Sequence, residues 1–305
     1  MRILISGAGG LLGLNFSLHF YRVHSITGLV HSHLLRQLPF CIYAVDLFEE
    51  KNARSLIDEH KPDVLVNCAA LADVDACEND HVRARRLNAE LPGWLAEECE
   101  RHAVKLLHIS TDAVFDGRKE GKYREGDEEH PLGIYAQTKL AGENNVLQVN
   151  SDALVARVNF YGFSISKKRS LAEFFLHSLQ EGRAVHGFTD VLFSPLYVVD
   201  LAQILLEMIE KQLGGLYHVV SPESQSKYAF GVSIAHRFGF EENLIQPITV
   251  AEATFLSAPR SKNLMLDPTK TQNALNRTLP GQLEGLEHFY GDYTGGLAER
   301  IYALQ

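Results

Sequence analysis

Arg2-Ile3-Leu4-Ile5-Ser6-Gly7-Ala8-Gly9-Gly10-Leu11-Leu12-Gly13 opens the chain, and its reading decides the fold class. The apolar run that stops at Gly7 reads as a short buried strand. Another apolar run, starting at Leu11, reads as a helix over about 11–21. Glycines between a strand and a helix allow a tight turn. They also let backbone N–H groups approach an anion at the positive helix end. Gly7-x-x-Gly10-x-x-Gly13, with Leu11 and Leu12 inside the same turn, therefore points to the pyrophosphate of a dinucleotide. The spacing differs from Gly-x-Gly-x-x-Gly, although Gly9 is also present.

Working outward, short apolar runs alternate with helical segments. Strands are expected at 25–30, 41–46, 63–70, 104–110 and 153–159, and helices at 33–38, 53–60, 82–102 and 133–150. That alternation predicts an α/β, Rossmann-type doubly wound parallel sheet with helices on both faces. Ligands of such sheets sit at the carboxyl ends of strands, near the point where strand order reverses. Gly7 to Gly13, Asp46, Ala69, Ala70 and Thr111 all fall at such ends. Past residue 162 the pattern loosens, with helices expected at 171–180, from Tyr197 to about 212, and at 227–238, and a returning strand at 215–220. The expected division is a dinucleotide-binding domain at 1–162 plus about 194–220, and a smaller interleaved C-terminal substrate lobe at about 163–193 and 221–305.

Composition narrows the function. With 305 residues, 46% hydrophobic and 22% charged, the chain has the make-up of an ordinary soluble globular protein. A net charge of −9 without a basic block excludes nucleic acid as the expected partner. No apolar run is long enough for a membrane span, and the apolar start is too short for a signal-peptide core. Cys41, Cys68, Cys77 and Cys99 form no Cys-x-x-Cys pair and read as reduced thiols of a cytoplasmic protein. No His-Glu-x-x-His occurs, so no metal site is expected.

Tyr135-Ala136-Gln137-Thr138-Lys139 carries the candidate chemistry. Residues four apart share a helix face, so the phenol and the ammonium can reach one small site. At about 5 Å and an effective dielectric of ~20, the ammonium would favour the phenolate by roughly 3 kcal/mol. That would bring the phenol, which ordinarily titrates near ~10, toward neutral pH. At the end of the second strand, Val30-His31-Ser32-His33 with nearby Arg36 offers no carboxylate for ribose hydroxyls. NADP(H) is therefore expected over NAD(H), with His31 at the ribose.

With these elements in order, and with Asn67-x-Ala69-Ala70 and Thr111 between them, the chain resembles the extended short-chain dehydrogenase/reductases. More narrowly, four runs are similar to the dTDP-4-dehydrorhamnose reductase-like subfamily: Val66-Asn67-Cys68-Ala69-Ala70, Ser110-Thr111-Asp112-x-Val114-Phe115-Asp116-Gly117, Tyr135-x-x-Thr138-Lys139-Leu140 and Arg260-x-x-Asn263-x-x-Leu266-Asp267. The resemblance implies hydride transfer from a nicotinamide to C4 of a nucleotide-linked 4-keto-6-deoxy sugar. It implies Tyr135 as proton donor, Lys139 on the ribose, and Thr111 with Asp112 at the sugar. Asp46 and Leu47 would flank the adenine, while Ala69, Ala70 and Leu71 would line the cofactor. Ala113 replaces the subfamily's aromatic residue and Ala136 its glycine. A shortened Arg157-Val158-Asn159-Phe160-Tyr161-Gly162 run leaves Phe160 in place of the sugar-stacking tryptophan. Arg157 reads as structural. The basic residues Lys167, Lys168, Arg169, Arg260 and Lys262 are either a solvated face or partners for a nucleotide diphosphate. Two other readings stay open on the same fold: a nucleotide-sugar epimerase or dehydratase, and a cofactor-binding regulatory subunit like the methionine adenosyltransferase β subunit. A symmetric homodimer is the expected assembly.

Overall fold

The computed structural model describes residues 1–31, 35, 37–167, 170–254 and 261–304. Of the short helix expected at 33–38, positions 33, 34 and 36 (Arg36) lie outside that set, while 35, 37 and 38 are in no helix; the basic residues Lys168, Arg169 and Arg260 also lie outside it. β1 (Arg2–Ser6), β2 (Ser25–Val30), β3 (Cys41–Ala44), β4 (Val64–Asn67), β5 (Lys105–Thr111), β6 (Leu154–Val158) and the strand Gly215–Val219 form one seven-stranded sheet. All its pairings are parallel. Its order, Gly215–Val219 then β6-β5-β4-β1-β2-β3, reverses at β1, so β1 and β4 flank the crevice where such folds bind ligands.

Alternation along β1 builds both faces. Ile3 and Ile5 join a core with Leu14 and Phe16 of α1 (Leu11–Phe20) and Leu201 and Leu205 of the apolar helix Val198–Glu210. Leu4 points the other way. It packs with Leu56 of α2 (Glu50–His60) and with Leu95 of the helix Leu91–Arg101.

Several boundaries differ from expectation, each for a local reason. The strand expected at 41–46 ends at Ala44, because Asp46 Oδ1 accepts the Phe48 N–H at 3.0 Å and turns the chain. The strand expected at 63–70 ends at Asn67, whose Oδ1 takes the Ala69 N–H at 3.2 Å. The helix expected over 82–102 is three pieces: His81–Arg85, a π turn at Arg86–Glu90, and Leu91–Arg101. Gly142 accounts for the closeness there, since a Cβ on it would lie 2.2 Å from the Asn88 carbonyl oxygen in the π turn. A further helix, Val74–Asn79, is capped by Asp73, whose Oδ1 accepts the Ala76 N–H at 2.8 Å. Helices at Thr269–Leu275, Gln282–Thr294 and Leu297–Tyr302 had no sequence expectation. Fully buried Phe289 anchors the second of them, stacked on Phe163 with ring centres 4.4 Å apart. Among the described residues no helix is long and apolar enough to cross a membrane.

Candidate active site

The helix Ile134–Val149 starts at Gly133 and lies beside the carboxyl end of β5. Its one-turn spacing puts Tyr135 and Lys139 on the face that meets Thr111 and Asp112. Thr111 ends β5 and caps a tight turn, its Oγ1 accepting the Ala113 N–H at 3.2 Å. The same hydroxyl donates to Asp112 Oδ1 at 3.1 Å and lies beside the Tyr135 phenol, which it pulls down. Asp112 is buried, and its Oδ2 accepts a very short hydrogen bond from Asn159. Thr111, Asp112 and Tyr135, expected together from their motifs, are thus in one place.

The electrostatics differ from the expected phenolate. Burial pushes the Tyr135 phenol up to about 12, and the Asp112 carboxylate also raises it, while the Thr111 hydrogen bond pulls it down. Lys139 does not offset this, because burial pulls its own ammonium down to about 8 and its Nζ donates to the Ile109 carbonyl at 2.6 Å. At neutral pH the phenol holds its proton.

Burial likewise pushes the Asp112 carboxyl up to about 6 from the ordinary 3.8, although Asn159 and Thr111 pull it down. The folded chain therefore binds this proton more tightly than the unfolded chain does. Stability falls as pH rises through the window between 3.8 and about 6. Asp112→Asn removes that loss, so thermal melting should find the variant more stable than the parent at neutral pH. The gain should vanish below about pH 4. A gain of equal size at both pH values would contradict this assignment.

Under Lys139 lies an ion network centred on the buried pair Arg157–Glu143. Arg157 on β6 donates to both Glu143 oxygens, at 3.0 Å through Nε and 2.7 Å through Nη2, and to Glu129 at 2.5 Å. Ser110 donates a very short hydrogen bond to the same Glu143. Glu143 sits one turn after Lys139, so Arg157 braces the helix Ile134–Val149 against the sheet. Its structural reading holds.

The cofactor crevice is a cavity of about 580 Å³ at the β1/β4 switch point. Gly7, Gly10, His31, Leu47, Ala69, Ala70 and Leu71 line it. Leu11, Leu12 and Gly13 form the buried first turn of α1 behind them. Gly7 adopts φ +70°, and a Cβ there would meet Ala69 N and the Cys68 carbonyl at 2.8 Å. α1 starts at Gly10 with no side-chain cap and no acidic residue in its first turn, which leaves its N–H groups for an anion. These features fit a dinucleotide pyrophosphate. Asp46 is committed to its turn, with His31 Nε2 3.6 Å from its Oδ1; its neighbours Val45 and Leu47 line the cavity instead.

Other residues had no functional signal in the sequence. Asn88 holds Leu71 by two hydrogen bonds, accepting its N–H at 2.8 Å and donating to its carbonyl at 3.1 Å, and donates to Thr138 at 3.2 Å. It therefore ties the cofactor wall to the catalytic helix. Arg83 and Leu87 also line the crevice. Phe160 is half-buried in a short strand pairing with Leu196, and its neighbour Asn159 is the residue that reaches Asp112. Lys167 lies over the Tyr302 ring at 4.4 Å, and Lys262 pairs with Asp190 at 2.9 Å.

The model of the RmlD substrate-binding domain family matches residues 1–294. The chain belongs to the RmlD family. A probable low-salt glycan biosynthesis reductase, Agl14, of Haloferax volcanii is 32% identical over 96% of this chain and 100% of its own length. The dTDP-4-dehydrorhamnose reductase of Aggregatibacter actinomycetemcomitans is 32% identical over 90% of this chain and 92% of its own. Methionine adenosyltransferase 2 subunit beta of Pongo abelii is 30% identical over 89% of this chain and 81% of its own. Among solved structures, a dTDP-4-dehydrorhamnose reductase of Bacillus anthracis in complex with NADP superposes with TM-score 0.81 at 25% identity, covering 95% of this chain and 99% of its own. As an RmlD-family member of the extended short-chain dehydrogenase/reductases, the chain is an NAD(P)H-dependent oxidoreductase of the dTDP-4-dehydrorhamnose reductase type.

Proposed function

We propose that the protein reduces C4 of a nucleotide-linked 4-keto-6-deoxy sugar with NADPH, Tyr135 supplying the proton. The observation that carries this is the Thr111–Tyr135–Asp112 cluster at the end of β5, beside the dinucleotide crevice. Bound NADPH would supply the hydride. Tyr135, protonated at neutral pH, donates to the oxygen of the reduced carbonyl. Thr111 hydrogen-bonds the same oxygen and orients it. Lys139, charged in most molecules at neutral pH, moves to the ribose hydroxyls and stabilises the phenolate once its proton has left. Asp112 and Asn159 form the polar floor beneath the sugar, with Phe160 at its edge.

NADPH is preferred over NADH in this reading, because His31 at the end of β2 can donate to a 2′-phosphate and no carboxylate of β2 repels it. The division into a cofactor domain at 1–162 plus about 194–220 and a substrate lobe at about 163–193 and 221–305 belongs to the same proposal. So do action in the cytoplasm and a symmetric homodimer. Ala113 provides no second acid after Asp112, which disfavours dehydration.

Oxidation of NADPH and NADH is followed at 340 nm with dTDP-6-deoxy-L-lyxo-4-hexulose. Turnover with a lower KM for NADPH is the expected result. Tight cofactor binding without oxidation of either would overturn the substrate assignment and turn attention to a regulatory role.

A further inference from the structure

We infer that Arg83 is the residue that closes over the adenine of the bound dinucleotide. This rests on the proposed reading of the crevice and adds a residue to it.

Three arginines lie close together on this segment, and two are committed. Arg85 pairs with Glu90 at 3.3 Å. Arg86 pairs with Glu90 at 2.9 Å, donates to the Phe48 carbonyl and lies 4.4 Å over the Trp94 ring. Arg83 engages the capping Asp80 only through its backbone N–H, which Asp80 Oδ1 accepts at 3.0 Å. Its guanidinium makes no hydrogen bond or ion pair with the described residues, and it lines the crevice.

Position decides which part of the cofactor it meets. Leu87, four residues on, lines the same wall, together with Leu71, Ala72 and Asp73 from the end of β4. The ribose end of the crevice is the opposite wall, where β2 ends at Val30 and His31. Between the walls, Val45, Leu47, Leu71 and Leu87 make an apolar slot suited to a flat heterocycle. A planar, weakly hydrated guanidinium on the rim of such a slot stacks on the ring face. Asp73 on the same wall caps its own helix through Oδ1 and makes no ion pair with Arg83 among the described residues.

Isothermal titration of wild type, Arg83→Ala and Arg83→Lys with NADPH, NADH and reduced nicotinamide mononucleotide tests this. Arg83→Ala should weaken both dinucleotides by roughly tenfold and leave their ratio within about twofold. The mononucleotide, which lacks the adenosine, should bind all three proteins equally. Arg83→Lys should recover only part of the loss, because an ammonium has no plane to stack. A loss confined to NADPH would place the guanidinium on the 2′-phosphate and overturn the inference. Equal weakening of the mononucleotide would place it on the pyrophosphate and overturn it too, as would no loss at all. Wild type that binds neither dinucleotide would defeat the reading of the crevice itself, a failure distinct from any result at Arg83.

Discussion

Tyr135→Phe should lower kcat by roughly a thousandfold while the Kd for NADPH changes by less than about twofold. The phenol lies beside Thr111 and the Asp112 carboxyl and holds its proton at neutral pH, since burial keeps it up at about 12. Removing one oxygen leaves the ring, its packing and the crevice walls in place. The loss should therefore fall on the chemical step and spare cofactor affinity. Stopped-flow absorbance at 340 nm gives the first quantity and cofactor fluorescence the second. A variant within about tenfold of wild type would mean that another group supplies the proton. Asp112, raised to about 6, would then be the next residue to change.

Arg157→Met should cost about 3–5 kcal/mol of stability, the largest loss expected from any single change away from the site. Arg157 is fully buried and neutralises Glu143, which is itself buried, as well as the better-exposed Glu129. Methionine fills much of the volume but leaves the Glu143 carboxylate in the interior with Ser110 as its remaining partner. Urea unfolding reads the loss. The double variant Arg157→Met/Glu143→Leu should recover most of it, because a buried pair replaced as a unit by apolar residues is often close to neutral. If the single variant stays within about 1 kcal/mol of wild type, the network does not brace the catalytic helix.

Much of this was legible in the sequence, for reasons that lie in backbone geometry. The run Arg2 to Gly13 has room for one interpretation, since Gly7 needs its positive φ and Ile3, Leu4 and Ile5 need two buried faces. Tyr135 and Lys139 share a face because helical spacing places them there, and Thr111 meets them because both elements end at the same edge of the sheet.

What escaped depended on distance and burial, which spacing does not report. A Coulomb argument from four-residue separation lowered the Tyr135 phenol, but both partners are desolvated and Lys139 turns to the Ile109 carbonyl. Arg157 read as structural, yet its partners Glu129 and Glu143 lie 28 and 14 residues away in the chain. The helix expected over 82–102 had suitable propensity throughout. The π turn within it comes from tertiary contact with Gly142, which no local pattern encodes. The resemblance implied Asp46 beside the adenine; the structure shows its Oδ1 accepting the Phe48 N–H in a turn, a contact that position in the sequence does not report. Arg83 belongs to no motif; what sets it apart is that its neighbours Arg85 and Arg86 are both paired with Glu90 while it lines the crevice.

The central claim is that hydride passes to the sugar at C4. Incubation with NADPH carrying deuterium at the transferred position of the nicotinamide, followed by mass and NMR analysis of the product, measures that transfer directly. The account predicts one deuterium per product, bound at C4, with none at C3 or C5. Product without deuterium, or deuterium at another carbon, would contradict it.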